Sequence, residues 1–136
     1  MNTKELLNLA LEARKRSYSP YSHFEVGAAL LTKSGKVYLG CNIESAAFSP
    51  TCCAERTAFA KAVSEGCLEF EGIAIAGAAN GKEPDGECAP CGVCRQVMAE
   101  FCLPDFKIIL GTPNNHSVYT LDDLLPKSFG PVNLTK

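Results

Sequence analysis

Two short blocks, Cys53-Ala54-Glu55 and Pro90-Cys91-Gly92-Val93-Cys94, constrain this chain more than any other feature. Both stand at expected helix starts. Cys53 follows Thr51, a good N-cap residue, and Cys91 follows Pro90, which suits a first helical turn. Helix N-termini carry partial positive charge and free N–H groups, which favour a thiolate over a thiol. Cys91 and Cys94 are three apart, so one helix face can turn both toward one ion. If Cys53 joins them, two helices distant in sequence must lie side by side against a sheet. Three thiolates also leave the fourth tetrahedral position of a zinc ion open to water, which separates a catalytic site from a structural one. Glu55 sits too near Cys53 to chelate beside it on a regular helix and is free to move protons. The blocks therefore read as a metal-assisted hydrolytic site.

The segments around them predict a layered α/β domain. Leu6, Leu9, Ala10 and Ala13 recur at helical spacing over 3–18, with Asn2 and Glu5 as a capping box. The apolar run 24–31, the turn Lys33-Ser34-Gly35-Lys36 and the run 37–42 predict a β-hairpin. A helix over 52–65 with Gly66 as its stop, a strand over 73–78 and a long loop over 80–89 follow. A helix from Pro90 to about 102, strands over 106–110 and 118–120, a short helix over 122–125 and a loop-like tail complete the order. The expectation is one domain over residues 1–136, with a mixed β-sheet of about five strands covered by helices.

Composition narrows the partners. The chain has 136 residues, 46% hydrophobic and 21% charged, and 13 basic against 15 acidic side chains give a net charge of −2. Its longest like-charge run is Arg14-Lys15-Arg16, a solvated helix face rather than the basic stripe of a nucleic-acid binder. A small uncharged partner fits better than DNA or RNA. The amino-terminal residues do not read as a secretory signal, and no apolar run approaches the ~20 residues of a membrane span, so the expected location is cytoplasmic with no membrane partner. Eight cysteines in a reducing compartment are not a disulfide framework, and setting three aside for zinc leaves an odd number, five.

Three thiolates weaken a divalent ion as a Lewis acid. Arg56, beside Glu55, can donate hydrogen bonds to the sulfurs and offset that charge. On position alone it reads equally as an exposed helix arginine in a salt bridge.

A glutamate two residues after a cysteine, followed later by P-C-x-x-C, is the zinc-deaminase pattern. With Pro20-Tyr21-Ser22-His23-Phe24-Glu25-Val26-Gly27-Ala28-Ala29-Leu30 and Gly40-Cys41-Asn42-Ile43-Glu44, the chain closely resembles the small cytidine deaminases of the homotetrameric, three-cysteine type. The resemblance runs from the first helix to Leu124-Leu125-Pro126. It implies one Zn2+ per subunit on Cys53, Cys91 and Cys94, and hydrolysis of cytidine and deoxycytidine to uridine and deoxyuridine with release of ammonia in pyrimidine salvage. Zinc-activated water would attack C4, with Glu55 as the proton shuttle. Phe24 matches the aromatic contact with the base, Asn42 and Glu44 the ribose ligands, and the Ala54 backbone the base-edge contact. Neighbouring subunits of a homotetramer would contribute Ala46, Phe48 and Phe129. Position 48 departs from the tyrosine expected there, which removes a hydroxyl.

Two cysteines compete with this set. Cys52 adjoins Cys53, although the Cys-Ala-Glu register selects the latter. Cys88, Cys91 and Cys94 form C-x-x-C-x-x-C, and with Cys53 they would close a four-cysteine structural site. Besides free nucleosides, the same chemistry could serve an aminopyrimidine antibiotic or a polynucleotide.

Overall fold

A computed structural model describes residues 1–135. The element order is α1 (Thr3–Arg14), β1 (Phe24–Thr32), β2 (Val37–Cys41), α2 (Ala54–Ser64), β3 (Phe70–Ala79), α3 (Gly92–Phe101), β4 (Lys107–Thr112), β5 (Asn115–Thr120), α4 (Leu121–Leu124) and α5 (Pro131–Thr135). The five strands form one sheet in the order β2-β1-β3-β4-β5. Only β3 and β4 are parallel, and the other neighbours are antiparallel. The mixed α/β sheet expected from the sequence is therefore present.

Alternation along the strands builds two cores. Ala28, Leu30, Ile73, Ile75, Ile108 and Leu110 face one side, where Phe59 of α2 and Met98 of α3 cover them. Ala29, Ala74, Ala76 and Ile109 face the other, under Leu6, Leu7 and Ala10 of α1. Small side chains on this second face let α1 lie close. At Gly27 an added Cβ would overlap the Ala10 carbonyl oxygen and the Arg14 backbone. Gly40 does the same for α2, because a Cβ there would overlap the carbonyl oxygen of Ala54. That close approach seats the start of α2 on β2 and so places Cys53.

Several boundaries differ from the sequence reading. The first helix ends at Arg14 rather than 18, because Tyr18 leaves it to bridge Ile43: Tyr18 N donates to the Asn42 carbonyl and Glu44 N to that of Tyr18. Thr51 does not cap α2. Its hydroxyl accepts from Ser45 N at 3.0 Å and shapes the 45–51 loop, while Cys53 takes the N-cap position. Pro90 likewise precedes the helix, and Cys91 is the N-cap of α3. The strand expected over 118–120 begins at Asn115, the polar residues Asn115-His116-Ser117 pairing with Leu110, Gly111 and Thr112. The tail holds α5, with Pro131 at its first position, where a missing N–H costs nothing.

Candidate active site

Both cysteine N-caps have extended backbones, φ −70°, ψ 156° at Cys53 and φ −69°, ψ 167° at Cys91. Neither side chain caps its own helix. A serine or aspartate there would fold back onto the backbone. The cysteine sulfurs meet each other instead. Cys53 Sγ lies 3.8 Å from Cys91 Sγ, Cys91 Sγ lies 3.5 Å from Cys94 Sγ, and all three fall within 4.8 Å of one another. Zinc–thiolate bonds of about 2.3 Å at tetrahedral angles place sulfurs about 3.8 Å apart, so the three fit a zinc ion. Among the described residues, Cys88 and Cys52 do not join this group, and the closed four-cysteine alternative is not formed.

Charge is managed within the cluster. Hydrogen bonding from Cys94, then from Arg56 and Cys91, overcomes burial and holds the Cys53 thiol down to about 5. Cys94, 1% exposed, is pushed up because it gives its hydrogen to Cys53 and is itself buried. Arg56 Nη2 donates to Cys53 Sγ at 3.5 Å and to the Thr51 carbonyl at 3.3 Å. The sulfur-facing position, not the exposed salt bridge, is the one Arg56 adopts.

Glu55 is 4% exposed at the start of α2. Burial, reinforced by the charge on Cys53, pushes its carboxyl up to about 7 against the pull of its own backbone N–H, Cys94 and Arg56. A carboxyl poised there can take and return a proton near neutral pH. Cys88 is also pushed up, to about 11, chiefly by burial, and stays a thiol.

A second cluster lies one backbone step away. Ile43 N donates to the Cys52 carbonyl and Cys52 N to that of Ile43, both at 2.9 Å, so the Asn42-Ile43-Glu44 segment is pinned beside Cys53. Asn42 is buried, and its Nδ2 donates to the Phe24 carbonyl at 2.8 Å. Glu44 accepts from Tyr21 N at 3.0 Å, Ser22 N at 3.1 Å and the Ser22 hydroxyl. The last, with those backbone bonds, holds the Glu44 carboxyl below its usual range. Phe24 is 41% exposed beside them. Ala54, fully buried, is the first residue of α2, between Cys53 and Glu55.

Ala46, Phe48 and Phe129 are exposed, and Phe48 lines a pocket with Tyr21, Ser22, Glu44 and Thr51. Phe48 occupies the left-handed region, φ 62°, with its ring edge-on to Tyr21 at 5.9 Å. Phe129 is held by its backbone, through a 2.7 Å bond from Gln96.

The description "Cytidine and deoxycytidylate deaminase zinc-binding region" matches residues 1–110, which contain every zinc-cluster residue. A cytidine deaminase of Sporosarcina psychrophila is 43% identical over 136 residues, covering 99% of this chain and 96% of that one. One from Halalkalibacterium halodurans is 48% identical over 130 residues, at 95% of each. The chain belongs to the cytidine deaminase family of zinc-dependent hydrolases. A crystal structure of the Burkholderia pseudomallei member superposes with a TM-score of 0.86 at 42% identity, over 95% of this chain and all of that one.

Two supports of the family's site escaped the sequence reading. Ser22 grips Glu44, and only its place inside the Pro20–Phe24 motif hinted at this. Arg95 donates from Nε to the Pro90 carbonyl at 2.8 Å and from Nη1 to that of Leu124 at 2.7 Å, bracing the residue before Cys91 against α4. An arginine after C-x-x-C carries no spacing signal of its own.

Proposed function

We propose that the chain, acting as a single deaminase domain over residues 1–136, hydrolyses cytidine and deoxycytidine to uridine and deoxyuridine with release of ammonia. The observation that carries this reading is the convergence of three sulfurs with a buried, proton-poised Glu55 beside them. Cys53, Cys91 and Cys94 would hold one zinc ion, which when bound would supply the Lewis acidity that lowers the pKa of water toward about 7. Glu55 takes the proton of the attacking water and passes it to N3 of the pyrimidine as the C4–O bond forms. It then carries the proton of the new C4 hydroxyl to the amino nitrogen, so the C4=O bond forms as the C4–N bond breaks and ammonia leaves. Arg56 offsets thiolate charge through its bond to Cys53.

The nucleoside lies with its base against Phe24 and the backbone of Ala54, and its sugar at Asn42 and Glu44. Ala46, Phe48 and Phe129 complete the sites of neighbouring subunits in a homotetramer. The exposure of Phe48 and Phe129, 68% and 60%, supports a role outside the chain's own core. The setting is cytoplasmic pyrimidine salvage, without nucleic-acid or membrane partners. Among the described residues no helix is long and apolar enough to cross a membrane.

Purified zinc-loaded protein mixed with cytidine should show loss of the cytidine ultraviolet band and release of ammonia. Absence of turnover on both cytidine and deoxycytidine overturns the assignment.

A further inference from the structure

The hydrogen-bond capacity of Asn42 is almost used up within the protein. An amide oxygen accepts two hydrogen bonds and an amide nitrogen donates two. Asn42 Oδ1 accepts from Val26 N at 3.0 Å and lies 2.5 Å from Ser17 Oγ, while Nδ2 donates to the Phe24 carbonyl at 2.8 Å. Val26 N can only donate and the Phe24 carbonyl can only accept, so the amide cannot be flipped. Oδ1 carries no proton, so the Ser17 hydrogen must point to it. The 3.2 Å contact between Ser17 and Ser19 then takes its hydrogen from Ser19. One N–H of Asn42 is left for a ligand and no acceptor.

Glu44 is the complement. Ionised, it can only accept. Its Oε1 already takes two backbone N–H groups and its Oε2 the Ser22 hydroxyl, which leaves Oε2 with room for one more donor. One free donor beside one free acceptor suits a single hydroxyl that accepts from Asn42 and donates to Glu44.

We propose that Ser17 is a positioning residue for sugar recognition: its hydroxyl closes the last acceptor site on Asn42, so the amide offers the substrate a pure, polarised N–H donor. This rests on the reading of Asn42 and Glu44 as the sugar ligands. Ser17 is half-buried in the turn after α1 and held in place by its neighbour, because Tyr18 N donates to the Asn42 carbonyl at 3.0 Å. A hydrogen bond into the amide oxygen strengthens donation from the amide nitrogen of the same group. Without it, a buried lone pair is left to water or to the sugar hydroxyl, and the amide no longer presents one role.

The test compares deoxycytidine with 2′,3′-dideoxycytidine, which differ by one hydroxyl. Ser17→Ala should lower kcat/KM on deoxycytidine about five- to tenfold, through KM with kcat within twofold, and leave dideoxycytidine within twofold. Ser17→Thr, which keeps the donor, should restore the parent value. Ser17→Cys, a weak donor of similar volume, should behave like Ser17→Ala and replaces it if the alanine variant loses zinc. The parent enzyme is the control and should favour deoxycytidine over dideoxycytidine. If it does but Ser17→Ala and Ser17→Cys have no effect, or depress both substrates equally, the role of Ser17 is overturned. If the parent enzyme itself does not distinguish the two substrates, the sugar reading has failed and the Ser17 proposal falls with it.

Discussion

The metal corner and the rim around it are built on opposite terms. At the corner, Cys53, Cys91, Cys94, Glu55 and Arg56 meet within one chain, and each polar group is shaped by the next. Glu55 is buried and pushed toward neutral pH by that burial. At the rim, Ala46, Phe48 and Phe129 are exposed, and Phe48 shares a pocket with Tyr21, Ser22 and Glu44. The contrast separates two demands on one sequence. Chemistry needs low dielectric and preset charges, which a folded core supplies. The rim is apolar surface whose use depends on what covers it.

Substitutions can break that division, and the largest effect belongs to the corner. Glu55→Gln removes the proposed proton carrier and leaves all three sulfurs in place. Turnover should fall by about 10²–10⁴ while bound zinc, measured by metal analysis, stays at the parent level. Zinc loss in this variant would show that Glu55 helps build the centre. Cys91→Ala removes one sulfur of three. Zinc should leave far faster to a chelating dye, and activity should follow the zinc rather than the folded fraction seen by circular dichroism.

Glu44→Gln lies between the two regions. It exchanges a charged acceptor for an amide beside Tyr21 N and Ser22 N, so KM for cytidine should rise about 10- to 100-fold with a smaller change in kcat. Gly40→Ala attacks the scaffold instead. The new methyl would overlap the Ala54 carbonyl oxygen, and the chain should lose about 1–3 kcal/mol in urea unfolding together with zinc affinity. If stability falls and zinc affinity does not, the seat of α2 on β2 is not what aims Cys53. The smallest effect is expected at the rim. Phe48→Tyr restores a hydroxyl at an already exposed ring and should lower KM by no more than about threefold. A tenfold gain there would make the rim as decisive as the corner.

Strong local patterns were legible in the sequence. The apolar run 24–31 covers nearly all of β1 and 73–78 the middle of β3, since buried strands leave little room for polar residues. Cys53, Cys91 and Cys94 could be grouped because a helix N-terminus and a three-residue spacing both have direct geometric meaning. What stayed hidden was settled by competition between distant groups. Thr51 is a better capping residue than cysteine in isolation, yet its hydroxyl is claimed by Ser45 N and the cap position passes to Cys53. Tyr18 continues a helical pattern but is drawn off by Ile43. The polar start of β5 pairs across a tight turn that periodicity does not register. Arg56 was ambiguous by position and is decided only by where Cys53 Sγ lies.

The reciprocal pair of bonds between Ile43 and Cys52 sets a length as well as a contact. One end of that ladder carries the side chains proposed to hold the sugar, and the other carries a sulfur of the metal centre. The span between them is thus set by planar peptide units and this one reciprocal pair of hydrogen bonds. If the proposed sugar contacts hold, the pocket would work as a calliper. A substrate analogue with one atom inserted between base and sugar cannot satisfy both jaws, so such analogues should bind by one end and escape deamination.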